Sequence, residues 1–266
     1  MRYPFRTCLE WRKWVVPELL RERPVHRWLV FPHSFTDDIV RALAEEWNLG
    51  KGDRILDPFA GAGTTVLAAK QLGIPAIGFD LSPLAALATQ VKTAKHDADA
   101  LAANWEKLHR RIKVRNANGE AKTYAELVRK ALPDKKLATF HGAKAAIEDF
   151  DASAATRAFF KLALLAQIPK FSNAVPTGGW LSWRANRRPA AGLPDELGET
   201  VRSMLADLRG APGPVKGTWR GCVADARRLP VEDGTCAAVI TSPPYPNRHD
   251  YTRVFGVELM FGFLDW

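Results

Sequence analysis

Three cysteines in 266 residues, Cys8, Cys222 and Cys236, are too few and too scattered for a disulfide framework or a CxxC-type zinc site, which leaves them as reduced thiols with packing roles. No stretch approaches the roughly 18 uninterrupted apolar residues of a spanning helix. The opening run, MRYPFRTCLEWRKW, lacks the apolar stretch of a secretory signal. A soluble, cytoplasmic protein without a membrane partner is expected. Internal repeats and low-complexity tracts are missing too. What is present is 47% hydrophobic and 25% charged, enough to bury one core and a smaller second lobe, so disorder across the whole chain is excluded. The 38 Lys and Arg against 29 Asp and Glu leave a net charge of +9, which admits a polyanionic partner, although a solvated basic surface has the same balance. Nine tryptophans imply large packed or stacking surfaces.

From Asp53 the chain reads as an α/β unit. Arg54 to Asp57 forms a short buried strand, Pro58 to Gly63 a Gly-rich turn, and Thr64 to Leu72 a helix that Gly73 stops. Ala76 to Asp80 is a second short strand, followed by the turn Leu81-Ser82-Pro83 and an Ala/Leu-rich helix from about Leu84 to Thr93. Residues 96–214 have helical spacing instead, as in Leu101, Trp105, Leu108 and Ile112, and again in Leu197, Val201, Leu205 and Leu208. Asp195 is placed to cap the last of these helices and Gly210 to end it, while Pro176 to Gly179 and Arg184 to Pro194 read as loops. After Pro214 the short strands return, at Thr218 to Val223 and at Ala237 to Ile240. The α/β core is thus split by a mostly helical insertion.

Chemistry concentrates at the strand ends. Asp57-Pro58-Phe59-Ala60-Gly61-Ala62-Gly63-Thr64-Thr65 joins a strand end to a helix start, where glycines let backbone approach a ligand and free N–H groups point outward. No Lys follows Gly63, so this is not a phosphate loop, and Val66 stands where a GxGxxG turn has its third glycine. Asp80, at the end of the second strand, stands where an acidic side chain accepts the hydroxyls of a ribose. A tight strand-to-helix connection alone accounts for a GxG turn in most proteins, and the second motif changes that balance. Ser242-Pro243-Pro244-Tyr245 directly follows an apolar strand, which puts it at the carboxyl edge of the sheet. Two prolines fix φ and leave carbonyls presented outward, and Tyr245 adds a flat ring. Together these parts suit a planar amine: a hydroxyl and a carbonyl to accept its protons, and an aromatic face to stack on its ring.

With both motifs in this order, the sequence resembles the amino DNA methyltransferases that use S-adenosylmethionine: DPFAGAGTT is similar to that family's motif I and TSPPY to its motif IV. The resemblance implies a Rossmann-like methyltransferase sheet, a base flipped out of DNA, and direct methyl transfer to its exocyclic nitrogen. It implies a catalytic role for Ser242, Pro243, Pro244 and Tyr245, and cofactor contacts for Asp57, Phe59, Gly61, Gly63 and Thr64. It extends to Phe31, Pro32 and Ser34 beside the cofactor's methionine part, to Asp80 at the ribose and to Asp225 at the adenine amino group. Asp225 could equally cap a turn before Arg227-Arg228, and His33 could be a surface or capping residue. Ser-Pro-Pro-Tyr resembles the N4-cytosine enzymes, with N6-adenine as the alternative; no Pro-Cys dipeptide occurs, and the C5-cytosine reaction needs that nucleophile. No metal is required.

The domain reading that follows is 1–95 for the N-terminal segment and first half of the core, 96–214 for the helical insertion, and 215–266 for the second half with its motif IV. Within the insertion Arg184, Arg187 and Arg188, interleaved with Trp180 and Trp183, are expected to contact DNA, although a solvated loop has the same composition. His249 and Asp250 are read as part of a loop, Pro246 to Arg253, over the active site rather than as an acid/base pair. Only four strands are found, so the sheet is expected to lack strands on its C-terminal side. This suggests a fragment or one half of a split enzyme, completed by a second polypeptide or by self-association. The expected function is site-specific cytosine-N4 methylation of DNA within a restriction-modification system. The rivals are a non-catalytic subunit and a methyltransferase acting on RNA or protein amides.

Overall fold

The computed structural model describes residues 7–114, 123–133, 135–177, 180–184, 189, 191–211, 216–245 and 251–263. Arg187, Arg188, His249 and Asp250 lie outside them. Among the described residues there are six strands: β1 (Ile55–Asp57), β2 (Ala76–Asp80), β3 (Ala174–Thr177), β4 (Trp180–Trp183), β5 (Trp219–Val223) and β6 (Ala238–Val239). The helices are α1 (Asp37–Glu46), α2 (Thr64–Leu72), α3 (Pro83–Thr93), α4 (Ala98–Val114), α5 (Glu126–Ala131), α6 (Lys135–Glu148), α7 (Ala154–Leu165), α8 (Ile168–Phe171), α9 (Leu193–Gly210), α10 (Tyr251–Val254) and α11 (Gly256–Gly262). None of them is long and apolar enough to cross a membrane.

Four strands form one parallel sheet in the order β5-β2-β1-β6. Leu56 stands opposite Ile77 on one side and Val239 on the other, and Phe79 stands opposite Cys222. Parallel neighbours need crossover connections. Helix α2 supplies the one between β1 and β2, and all of α3 to α9 lies between β2 and β5. Because every strand runs the same way, Asp57, Asp80, Val223 and Val239 end at one edge. This is the Rossmann-like α/β arrangement expected from the sequence.

Helix ends follow local chemistry. The Ser82 hydroxyl accepts the Ala85 N–H at 3.4 Å and Pro83 takes the first turn of α3, while Gly63 and Gly73 flank α2 in left-handed conformations. Helix α3 lies against β5 so closely that a Cβ at Gly221 would stand 2.5 Å from the Thr89 Cβ. A small apolar cluster gathers Val40, Ile55, Val66 and Ile240 around α1, α2, β1 and the end of β6. The larger one runs without a break from Trp28 and Phe31 through α3, α4, α6, α7 and α9 to Phe261 of α11.

Two local expectations need correction. Pro176 and Thr177 do not lie in a loop: β3 and β4 pair antiparallel, Thr177 opposite Trp180 and Ala174 opposite Trp183. The hairpin signal was Gly178-Gly179 between two runs rich in β-formers, and Pro176 is tolerated because β3 has a single neighbour. Asp195 does not cap α9 either. Gly192 holds that position and Asp195 sits within the first turn, where a carboxylate suits the helix dipole.

Glu258 of α11 is 6% exposed, and burial pushes its carboxyl up to about 7 from an ordinary value of 4.5. The folded state therefore holds this proton more tightly than the unfolded chain, so stability is full below about pH 4.5 and falls as pH rises to about 7. Glu258→Gln is expected to remove that fall, gaining up to about 3 kcal/mol over the parent between pH 4 and pH 8. Paired denaturant melts at the two pH values check it, and an unchanged difference between the proteins rejects it.

Candidate active site

At the carboxyl edge of the sheet opens a cavity of about 440 Å³. Each strand end contributes to its wall: Asp57, Phe59, Gly61 and Thr64 after β1, Asp80 and Ser82 after β2, Asp225 and Arg227 after β5, and Ser242 and Pro244 after β6. Phe31, His33 and Ser34 close it from the N-terminal segment, Thr252 and Phe255 from the C-terminal helices. The two motifs thus converge although they are far apart in the chain. Their meeting point is direct: the Thr241 hydroxyl donates to Asp57 Oδ1 at 2.7 Å, and the Ile240 N–H donates to the Leu56 carbonyl at 3.0 Å.

Asp57 is 2% exposed, and burial pushes its carboxyl up to about 6 against the pull of Thr241 and the Phe59 N–H. The Asp80 carboxylate reaches across the glycine turn: Oδ2 accepts the Gly61 N–H at 2.8 Å and Oδ1 accepts the Ser82 N–H at 2.9 Å. Burial raises this carboxyl as well, against those two bonds. Each of its oxygens keeps a second lone pair. Gly63 has φ +83°, and a Cβ there would stand 2.7 Å from the Thr89 hydroxyl, so the turn needs a residue without a side chain. Gly63 itself is buried and does not line the cavity.

Phe31 is held by a stacked Phe255 with ring centroids 4.2 Å apart, while the neighbouring Pro32 is exposed and does not line the cavity. Asp225 does line it, but its partner is local: the Arg227 N–H at 2.9 Å and Nη2 at 2.6 Å. That guanidinium holds the carboxyl down at about 2. Pro243 and Tyr245 stand outside the lining, and the Tyr245 ring, 57% exposed, meets His33 edge-on at 6.3 Å. Arg184 is exposed at the end of β4, its N–H bonded to the Asn173 carbonyl.

Two supporting residues escaped sequence reasoning. Lys92, 3% exposed on α3, donates to the Leu29 carbonyl at 2.6 Å and the Ala62 carbonyl at 2.8 Å, joining the strip before Phe31 to the glycine turn. Burial lowers its pKa to about 7. A lysine among Leu84, Ala88 and Val91 on a mostly apolar helix was the available signal. Asp207 of α9, 4% exposed, accepts the Val25 N–H at 2.8 Å, Trp28 Nε1 at 3.0 Å and Arg27 Nε at 3.0 Å. Val25 has φ 65°, a conformation that costs a β-branched residue about 1–3 kcal/mol and persists here under Asp207's grip.

Residues 19–90 match the family model described as DNA methylase. The type II methyltransferase M.BsoBI of Geobacillus stearothermophilus is 29% identical over 94% of this chain and 55% of its own length. M.AvaI of Nostoc sp. is 26% identical over 93% of this chain and 56% of its own. These matches support an amino DNA methyltransferase family. The chain spans about half the length of the curated relatives it matches. The type II methyltransferase M.MjaII of Methanocaldococcus jannaschii is 33% identical, over 33% of this chain and 16% of its own length. No solved structure matches. The family-model span takes in Phe31, the turn after β1 and Asp80, whereas Ser242 to Tyr245 falls outside it and within the reach of the longer alignments.

Proposed function

We propose that this chain transfers a methyl group from S-adenosylmethionine to the exocyclic N4 of cytosine in DNA, within a restriction-modification system. The observation that carries the reading is the Thr241–Asp57 hydrogen bond, which ties the serine-diproline corner to the glycine turn at a shared cavity. The cofactor suits that cavity on three counts. Asp80 is braced by two backbone N–H groups with lone pairs left for a ribose diol. Asp225 stays ionised beside Arg227, ready to accept from an adenine amine. Phe31 and Phe59 supply apolar wall. When bound, the sulfonium supplies an activated methyl group.

The chain's own task is to make a poor nucleophile competent. An aromatic amine delocalises its lone pair into the ring, and accepting its N–H groups at Ser242 Oγ and the Pro243 carbonyl draws the nitrogen toward tetrahedral geometry. Holding both reactants in one cleft supplies orientation. Tyr245, exposed beside His33, would stack on the everted base. Arg184, with Arg187 and Arg188, would track phosphates, and segment 96–214 would carry recognition. β6 pairs with β1 alone among the described residues and Val239 is 53% exposed, so this edge is where a second polypeptide or second copy would add a strand.

Incubating the protein with labelled methyl donor and genomic DNA, then digesting to nucleosides, tests the reading. N4-methylcytosine is expected. N6-methyladenine moves the target to adenine, and label confined to RNA or protein rejects DNA as substrate.

A further inference from the structure

The hairpin β3–β4 carries an indole where packing gives no account of it. Trp180 is 66% exposed, although a buried tryptophan is among the largest apolar contributions a side chain makes. Its backbone is fixed by the antiparallel register opposite Thr177, and one face of its ring is covered by the Arg253 guanidinium, 4.8 Å from the centroid. That contact places it. Arg253 follows Thr252, which lines the cavity, and Phe255 beyond it lines the cavity and stacks on Phe31. The indole therefore stands beside the mouth of the cleft, on the α10 side. Trp183, three residues along and therefore on the opposite face of the strand, carries Lys130 4.3 Å over its own ring, and exposed Arg184 follows. A flat ring backed by a guanidinium, on a chain of net charge +9, matches stacked bases with their phosphates better than a protein surface.

We propose that Trp180 is a positioning residue that enters the base stack next to the target nucleotide and holds the gap open once that base has left the duplex. This rests on the DNA-methyltransferase reading above. Everting a paired base requires unstacking and unpairing, least of all where the base is mismatched or unpaired. An apolar side chain inserted at the step takes over part of the lost stacking. The effect of Trp180 must then scale with how firmly the target base is held. Tyr245 would act on the everted base itself, so the two aromatic residues have separate tasks.

The test compares Trp180→Ala and Trp180→Phe with the parent on duplexes bearing the target sequence, mapped by sequencing the methylated genomic DNA, with the target base paired, mismatched or opposite an abasic site. Trp180→Ala is expected to lower kcat/KM on the paired duplex about ten- to a hundredfold, by less than about threefold opposite the abasic site, with Trp180→Phe between. Cofactor affinity should stay the same. An equal loss on all three duplexes assigns a merely structural role and overturns the proposal, as does no loss on any. A changed mass in solution with unaltered kinetics makes the hairpin a protein interface and overturns it too. A parent protein that methylates none of the duplexes defeats the underlying reading instead, and the inference goes with it.

Discussion

Ser242→Ala is expected to lower the rate of methyl transfer about a hundredfold, with cofactor affinity unchanged within about threefold. Ser242 lines the cavity beyond the end of β6, where its hydroxyl would accept an N–H in a bond that must sharpen as the nitrogen leaves the plane of its ring. An interaction that strengthens toward the transition state appears in the chemical step rather than in ground-state binding. The side chain is only partly buried and takes no part in the Thr241–Asp57 contact, so its loss should leave the sheet edge intact. Single-turnover incorporation of labelled methyl, alongside equilibrium binding of the cofactor, separates the two quantities. A variant with parental rate would remove Ser242 from the mechanism.

Asp207→Ala should produce the largest loss of stability, about 3–5 kcal/mol, seen as a fall of roughly 10 °C in Tm. Its carboxylate is the acceptor for Val25, Arg27 and Trp28 together, and its removal leaves a buried N–H, a buried indole N–H and a guanidinium without their partner. The strained turn at Val25 loses its tether at the same time. Because that turn leads into Phe31, His33 and Ser34 on the cavity wall, cofactor affinity should fall with stability. Calorimetry with and without cofactor reads both. A Tm within about 2 °C of the parent would mean that the strip is held by other contacts, such as Arg23 with Asp38 and Lys92 with Leu29.

How much of this was legible beforehand depends on the range of the interaction. Strands β1 and β2 and helices α2 and α3 are bounded by Asp, Gly and Pro within a few residues, and their limits follow from local chemistry. The convergence of Asp57, Asp80, Asp225 and Ser242 could be anticipated because parallel strands bring their ends to one edge. Asp207 and Lys92 could not be assigned partners, since a carboxylate on α9 meeting Val25, or an ammonium on α3 meeting Ala62, depends on which helix faces lie together. The hairpin was legible in principle, through Gly178-Gly179, and was masked by the helical texture around it. Asp225 illustrates the opposite case: the local turn with Arg227 and a place on the cavity wall coexist, so the two readings of that residue were never exclusive.

The bond between Thr241 and Asp57 spans 184 positions of chain. Loop-closure entropy rises only logarithmically with length, so the long helical segment between the two halves adds little to the equilibrium cost of joining them. Kinetics are another matter, because pairings so distant in sequence slow the search for the native topology. The serine-diproline corner should be among the last parts of the molecule to acquire its shape during refolding, well after the helices it depends on.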